Sequence, residues 1–198
     1  MCSSDLICIE PFDASREPTD LSSEYKSCEH QFKRLKQAIF DTQDCGIEIY
    51  PFMGFALNKL NQPGELTKLQ AWWEENGYSA AERSSCRNAK LCPGKAMGIK
   101  LYPPLGFNPC PENLPPAYPE FYQWCVDKDI PLTVHCQESS YCVDDRQKKA
   151  CNINTHPRNW MRLFQSNPHL KNLRINFGHF GGEGQDRKST RLNSSHQI

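Results

Sequence analysis

Residues 97–104 read Met-Gly-Ile-Lys-Leu-Tyr-Pro-Pro, and this stretch decides the fold. The run is too short for a helix and ends at two prolines, which cannot continue a sheet ladder, so it predicts a buried strand that stops at Pro103. A helical pattern follows over 120–127, and a second apolar run occupies 130–134. Strand, helix and strand in this order predict a parallel βαβ unit.

The same alternation continues on both sides of this unit. Apolar runs and helical spacing predict further strands at 6–9, 47–52 and 173–177, and further helices at 30–44, 66–76 and 157–165. Residues 79–95 have no clear period and are interpreted as an excursion. The sequence contains no Gly-rich dinucleotide-binding or phosphate-binding turn. It therefore predicts an α/β fold, an incomplete (β/α)8 TIM barrel of about five units.

The composition limits the classes of partner. The 198 residues include 23 Lys and Arg against 23 Asp and Glu, and 38% are hydrophobic. Zero formal net charge without a basic run gives no electrostatic reason to expect nucleic acid or a membrane as partner. No stretch approaches the roughly 20 apolar residues of a membrane span, and the N-terminus lacks the pattern of a signal peptide. We therefore expect a cytoplasmic protein.

The cysteines do not form a recognisable metal or redox motif. An odd count of 11 in a chain with ample core material indicates mostly reduced thiols. The pairs Cys86/Cys92 and Cys136/Cys142 have five intervening residues, which is neither a zinc-knuckle nor a thioredoxin spacing. We interpret these cysteines as structural or surface thiols.

Two histidines come directly after predicted strands. His135 follows Thr133-Val134, and His179 follows Phe177-Gly178. Active sites of (β/α)8 barrels form at the carboxyl ends of the strands, and neighbouring parallel strands lie about 4.8 Å apart. The two imidazoles are therefore candidates to share a metal or to act on a water molecule. The alternative is that each is an ordinary hydrogen-bonded residue at a strand end.

Lys100 is the third candidate, within or at the end of its strand. A buried lysine there has two functional interpretations: a carbamylated side chain that bridges two metals, or a cation that binds substrate. The alternative is a lysine whose stem is buried while its ammonium group reaches solvent at the barrel rim.

The order of these motifs resembles the amidohydrolase superfamily, in particular its amidohydrolase-related branch. The likeness spans roughly residues 6–184 and rests on the stretches 98–107, 130–136 and 174–182, with 50–52 resembling the third barrel strand. It implies a hydrolase that cleaves a C–N or ester-like bond of a small molecule with a divalent metal such as zinc. It also implies about strands 2 to 6 of the barrel. Members of this family often form homo-oligomers, while the sequence itself does not indicate an oligomeric state.

The resemblance also implies roles for the candidate residues. His135 matches the metal ligand of the fifth strand. His179 matches the histidine of the sixth strand, a second-metal ligand in some members and a water-orienting catalytic residue in others. The resemblance assigns no role to Lys100, which stays a candidate metal ligand with the two functional interpretations given above, and no substrate-binding residue is assigned.

The sequence departs from that family in one respect. The branch places a His-x-His pair on its first strand and an aspartate on its eighth, and this sequence contains no His-x-His. A catalytic zinc uses three protein ligands or more. We therefore expect a hydrolase as the parent enzyme and an inactive polypeptide here. A decarboxylase of the same superfamily and a non-catalytic barrel relative are the alternatives.

The last residues differ in character from the rest of the chain. Residues 186–196 have no apolar periodicity and resemble the in-frame translation of a common short-read sequencing adapter. We therefore expect one partial barrel domain over 1–185 and a non-native tail over 186–198.

Overall fold

The computed structural model of the chain describes residues 28–42, 50–85, 95–136 and 153–178. The helices of these ranges are α1 (Cys28–Thr42), α2 (Glu65–Asn76), α3 (Ala80–Ser85), α4 (Ala117–Asp127) and α5 (Arg158–Ser166). The strands are β1 (Phe52–Phe55), β2 (Gly98–Leu101), β3 (Leu132–Val134) and β4 (Ile175–Phe177). Short 3-10 helices lie at Leu57–Asn61, Pro103–Leu105 and Pro168–Asn172.

The four strands form one parallel sheet in the order β1-β2-β3-β4. Each strand therefore pairs with the next strand along the chain. A helix lies in the connection between each successive pair, α2 and α3 first, then α4, then α5. The fold class is α/β with a parallel sheet, as the alternation of patterns predicts.

One face of the sheet is apolar and is packed against helices. Ring contacts join this face to the helices, with Phe55 stacked on Phe121 of α4 at 5.9 Å and Phe177 edge-on to Trp160 of α5 at 6.2 Å. Trp73 of α2 meets α4 through Trp124. Burial of such large rings against each other is the main source of stability in a core of this kind. The strand residues of this face are Met53, Phe55, Ile99, Leu101, Leu132, Val134, Ile175 and Phe177.

Most predicted elements are confirmed, and several boundaries differ. Residues 47–49 of the strand predicted at 47–52 lie outside the described residues; β1 itself runs from Phe52 to Phe55, and its pairing with β2 begins at Phe52, opposite Gly98. Helix α4 begins at Ala117 rather than at 120, and α3 forms within the stretch interpreted as an excursion. The strand predicted at 6–9 and the tail at 186–198 lie outside the described residues. Within the described ranges, every helix is too short or too polar to traverse a bilayer.

Candidate active site

The face of the sheet opposite the aromatic rings carries a row of polar residues. The strand register places Lys100 of β2 beside Thr133 of β3, and Thr133 beside Asn176 of β4. Because side chains of a strand alternate between faces, these three share one face. Lys100 and Thr133 are buried, with 6% and 8% of their surface exposed, whereas Asn176 is exposed.

Lys100 lies within β2, and its ammonium group lies near the carboxyl end of the sheet. Its Nζ is 3.9 Å from the position that a Cβ would take at Gly178, the residue directly after β4. The side chain therefore extends across the end of β3 toward the end of β4. Gly54, beside Lys100 on β1, carries no side chain, and a Cβ there would meet no atom of the described residues within 4 Å.

His135 lies directly after β3, as predicted, and is also buried, with 8% of its surface exposed. Its imidazole packs against the ring of Tyr102 with the ring centroids 4.4 Å apart. The His135 amide donates a hydrogen bond to the carbonyl of Leu101, the last residue of β2. Since Tyr102 follows β2 and His135 follows β3, the two rings lie together at the carboxyl edge of the sheet.

His179 lies outside the described residues, so the predicted pairing with His135 stays a prediction. The register of β3 and β4 ends just before this residue. Val134 is opposite Phe177, where β4 ends, so Gly178 is the described residue level with His135, and His179 follows it in the sequence.

Cys136 follows His135 after the end of β3, but it is a poor candidate nucleophile. Burial raises the pKa of its thiol to about 12, and the nearby Lys100 ammonium opposes that shift only in part. A thiol with such a pKa is protonated at neutral pH, and the thiolate is the reactive form. Cys136 is therefore a buried structural thiol, which agrees with the sequence interpretation; Cys86, Cys92 and Cys142 lie outside the described residues.

Two observations concern whether the side chains at this edge of the sheet could bind a metal ion. The His135 imidazole is a side chain of the type that zinc binds. Among the described residues, no group of three or more His, Cys, Asp or Glu side chains lies close enough together to hold a metal ion. His135 is thus one fitting ligand, and the described residues alone do not bring three such side chains together.

Comparison with known proteins adds no relative. No family model matches the chain, and neither a curated protein nor a solved structure does. The residues of the polar face are therefore the basis for inferring a function.

The neighbours of Lys100 and His135 are not candidates from the sequence alone. Thr133, Asn176 and Tyr102 share the face or the edge with these two residues in the structure. The period-2 alternation within each strand was the available signal, because it places Lys100 with Tyr102 and Thr133 with His135 on one face. The register between strands, which joins these pairs into one row, depends on long-range pairing.

Proposed function

We propose that this chain contributes part of the active site of a metal-dependent hydrolase built on an incomplete (β/α)8 barrel. The substrate would be a small molecule with a C–N or ester-like bond. His135 would bind zinc or another divalent metal, and His179 would bind metal or orient water. When bound, such a metal supplies Lewis acidity for hydrolysis at neutral pH.

The observation that carries this proposal is the placement of His135 and Lys100. Both are buried at or near the carboxyl edge of a parallel sheet, on the face away from the packed aromatic rings. Barrel enzymes place their active sites at this edge. The strand order supports the barrel, because neighbouring strands of a (β/α)8 barrel follow one another along the chain, as β1 to β4 do.

The chain's own residues have separable tasks in this proposal. His135 is held by its backbone hydrogen bond to Leu101 and by the ring of Tyr102, so its imidazole is positioned before any ligand arrives. Such a fixed ligand loses little conformational entropy on binding. Lys100 places a positive charge on the same face.

The test is zinc binding read at the histidine itself. Because the chain contains 11 cysteines, total bound zinc does not report on His135. We would record imidazole nitrogen NMR spectra of the 15N-labelled chain during a zinc titration and assign the His135 signal with His135→Ala. His169→Ala, at an exposed position of the 3-10 helix Pro168–Asn172, is the matched control.

We expect zinc to shift the His135 resonance saturably, and we expect His169→Ala to leave that shift and its midpoint unchanged. The affinity should be low, because the sequence lacks a His-x-His pair and catalytic zinc uses three protein ligands. A His135 resonance that zinc leaves unchanged, in a chain whose circular dichroism shows it folded, would contradict the proposal.

A further inference from the structure

Lys100 is largely buried, and its ammonium group has no counter-ion in the described part of the chain. Only 6% of the surface of the residue is exposed, while Nζ itself is not among the buried atoms without a partner. The ion pairs among the described residues involve other lysines and arginines, and no hydrogen bond of its ammonium group to a described residue is present. An accessible cation that has no protein counter-ion, at the end of a largely buried side chain, is suited to bind a small anion.

The surroundings of Lys100 are suited to a small ligand. Thr133 lies beside Lys100 on β3, and Asn176 follows on β4, so a hydroxyl and an amide share its face. Gly54 and Gly178 flank the row without side chains. A Cβ at Gly178 would lie in contact with Nζ, and a Cβ at Gly54 would meet no described atom within 4 Å.

We infer that the Lys100 ammonium binds the carboxylate of a small organic acid, with Thr133 and Asn176 as neutral hydrogen-bond donors. One cation with neutral donors matches a single negative charge. Hydrogen bonds between an ammonium and a carboxylate are charge-assisted and are stronger than neutral ones. The inference rests on the proposed function only in treating this acid as the substrate. It also excludes a carbamylated Lys100, because a carbamate has no ammonium group.

The test compares carboxylates with their uncharged amides. Acetate, butyrate and benzoate are titrated against acetamide, butyramide and benzamide, at an ionic strength held constant with sodium chloride. Binding to the wild-type chain is followed by the 1H–13C NMR signal of the Lys100 ε-methylene group in the chain labelled with 13C-lysine. Wild type and the variants are compared by the line broadening of the ligand's own 1H signals, which does not depend on Lys100. The neutral chelator 1,10-phenanthroline is present throughout, so that a bound metal cannot hold the carboxylate.

We expect at least one carboxylate to shift the Lys100 signal saturably while its amide does not. Lys100→Met should weaken the binding of that carboxylate by about tenfold or more. Lys171→Met, at an exposed position, should leave the binding unchanged.

Three results would overturn the inference. Equal shifts with acid and amide would exclude charge recognition, and undiminished carboxylate binding by Lys100→Met would exclude Lys100. A carbamate signal after addition of 13C-bicarbonate, lost in Lys100→Met, would show a modified lysine. If zinc does not shift the His135 signal while carboxylates still bind through Lys100, only the metal part of the proposed function is wrong. If zinc shifts the His135 signal and no carboxylate binds through Lys100, the metal site stands and the carboxylate inference is wrong.

Discussion

Gly98, the first residue of β2, shows how a single position constrains the sheet. A Cβ there would overlap the ring of Phe52 and the carbonyl oxygen of Pro131. The ring can rotate away, but the carbonyl belongs to the backbone of the adjacent strand segment. Gly54, the β1 neighbour of Lys100, is the opposite case, since a Cβ there would meet no atom of the described residues within 4 Å.

We predict that Gly98→Ala lowers the free energy of unfolding by about 2–3 kcal/mol, because overpacking against backbone forces the strands apart. Gly54→Ala is the matched control and should change stability by less than about 1 kcal/mol, in the stabilising direction, because alanine is less costly than glycine in an extended segment. Urea unfolding of both variants measures the difference. Equal stabilities of the two variants would contradict the packing at Gly98.

At the scale of elements, the sequence predicts which segments form but not where all of them begin. Helix α4 starts within a proline-dense run that reads as loop, because Pro116 and Pro119 lie before and within its first turn, where a missing N–H costs little. Helix α3 is short and polar, so hydrophobic periodicity does not detect it. The signal for α3 is the capping box, in which Ser79 and Glu82 exchange side-chain and backbone hydrogen bonds.

Glu82 gives α3 a pH-dependent contribution to stability. A hydrogen bond from Lys95, at 2.7 Å, and then the backbone and hydroxyl of Ser79 lower the pKa of Glu82 from 4.5 to about 2. Because the folded-state pKa is lower than the unfolded one, the stabilisation is complete above about pH 4.5. It is lost as the pH falls toward about 2.

We predict that the wild-type chain exceeds Glu82→Gln in stability near neutral pH by about 0.5–1 kcal/mol, since the ion pair is largely exposed. This advantage should disappear between about pH 4.5 and pH 2. Lys95→Met removes the same ion pair from its other partner and should reduce the pH dependence in the same way. Urea unfolding at a series of pH values tests this. A constant difference between wild type and Glu82→Gln across that range would show that the carboxylate contributes nothing.

For the molecule as a whole, the alternation of strand and helix patterns predicts the α/β fold class. The arrangement of the candidate active site depends instead on the register between neighbouring strands. The apolar runs at 98–101 and 132–134 identify two strands, but they do not say that Lys100 lies beside Thr133. That pairing follows from contacts between segments more than thirty residues apart, which local patterns do not contain. His135 could be named from its place after a strand, whereas Tyr102 became visible only through the ring contact.

One residue, Asp129, connects three distant parts of the chain at the turn between α4 and β3. Its carboxylate lies 2.9 Å from Arg174, which precedes β4, and 3.9 Å from the buried Arg83 of α3. Both arginines also donate hydrogen bonds to its backbone carbonyl. The φ of Asp129 is 53°, in the left-handed region that aspartate and asparagine adopt more readily than alanine.

Two substitutions separate the charge of Asp129 from its backbone conformation. Asp129→Asn keeps a residue that tolerates positive φ and removes only the ion pairs, so it should cost about 0.5 kcal/mol and the loss should shrink in 1 M salt. Asp129→Ala removes the same ion pairs and also places alanine in the left-handed region, so it should cost about 1–2 kcal/mol, and the part of this cost that exceeds that of Asp129→Asn should not depend on salt. Thermal unfolding at low and high salt distinguishes the two contributions. If alanine and asparagine are equally destabilising, the backbone conformation contributes nothing and the turn is held by charge alone.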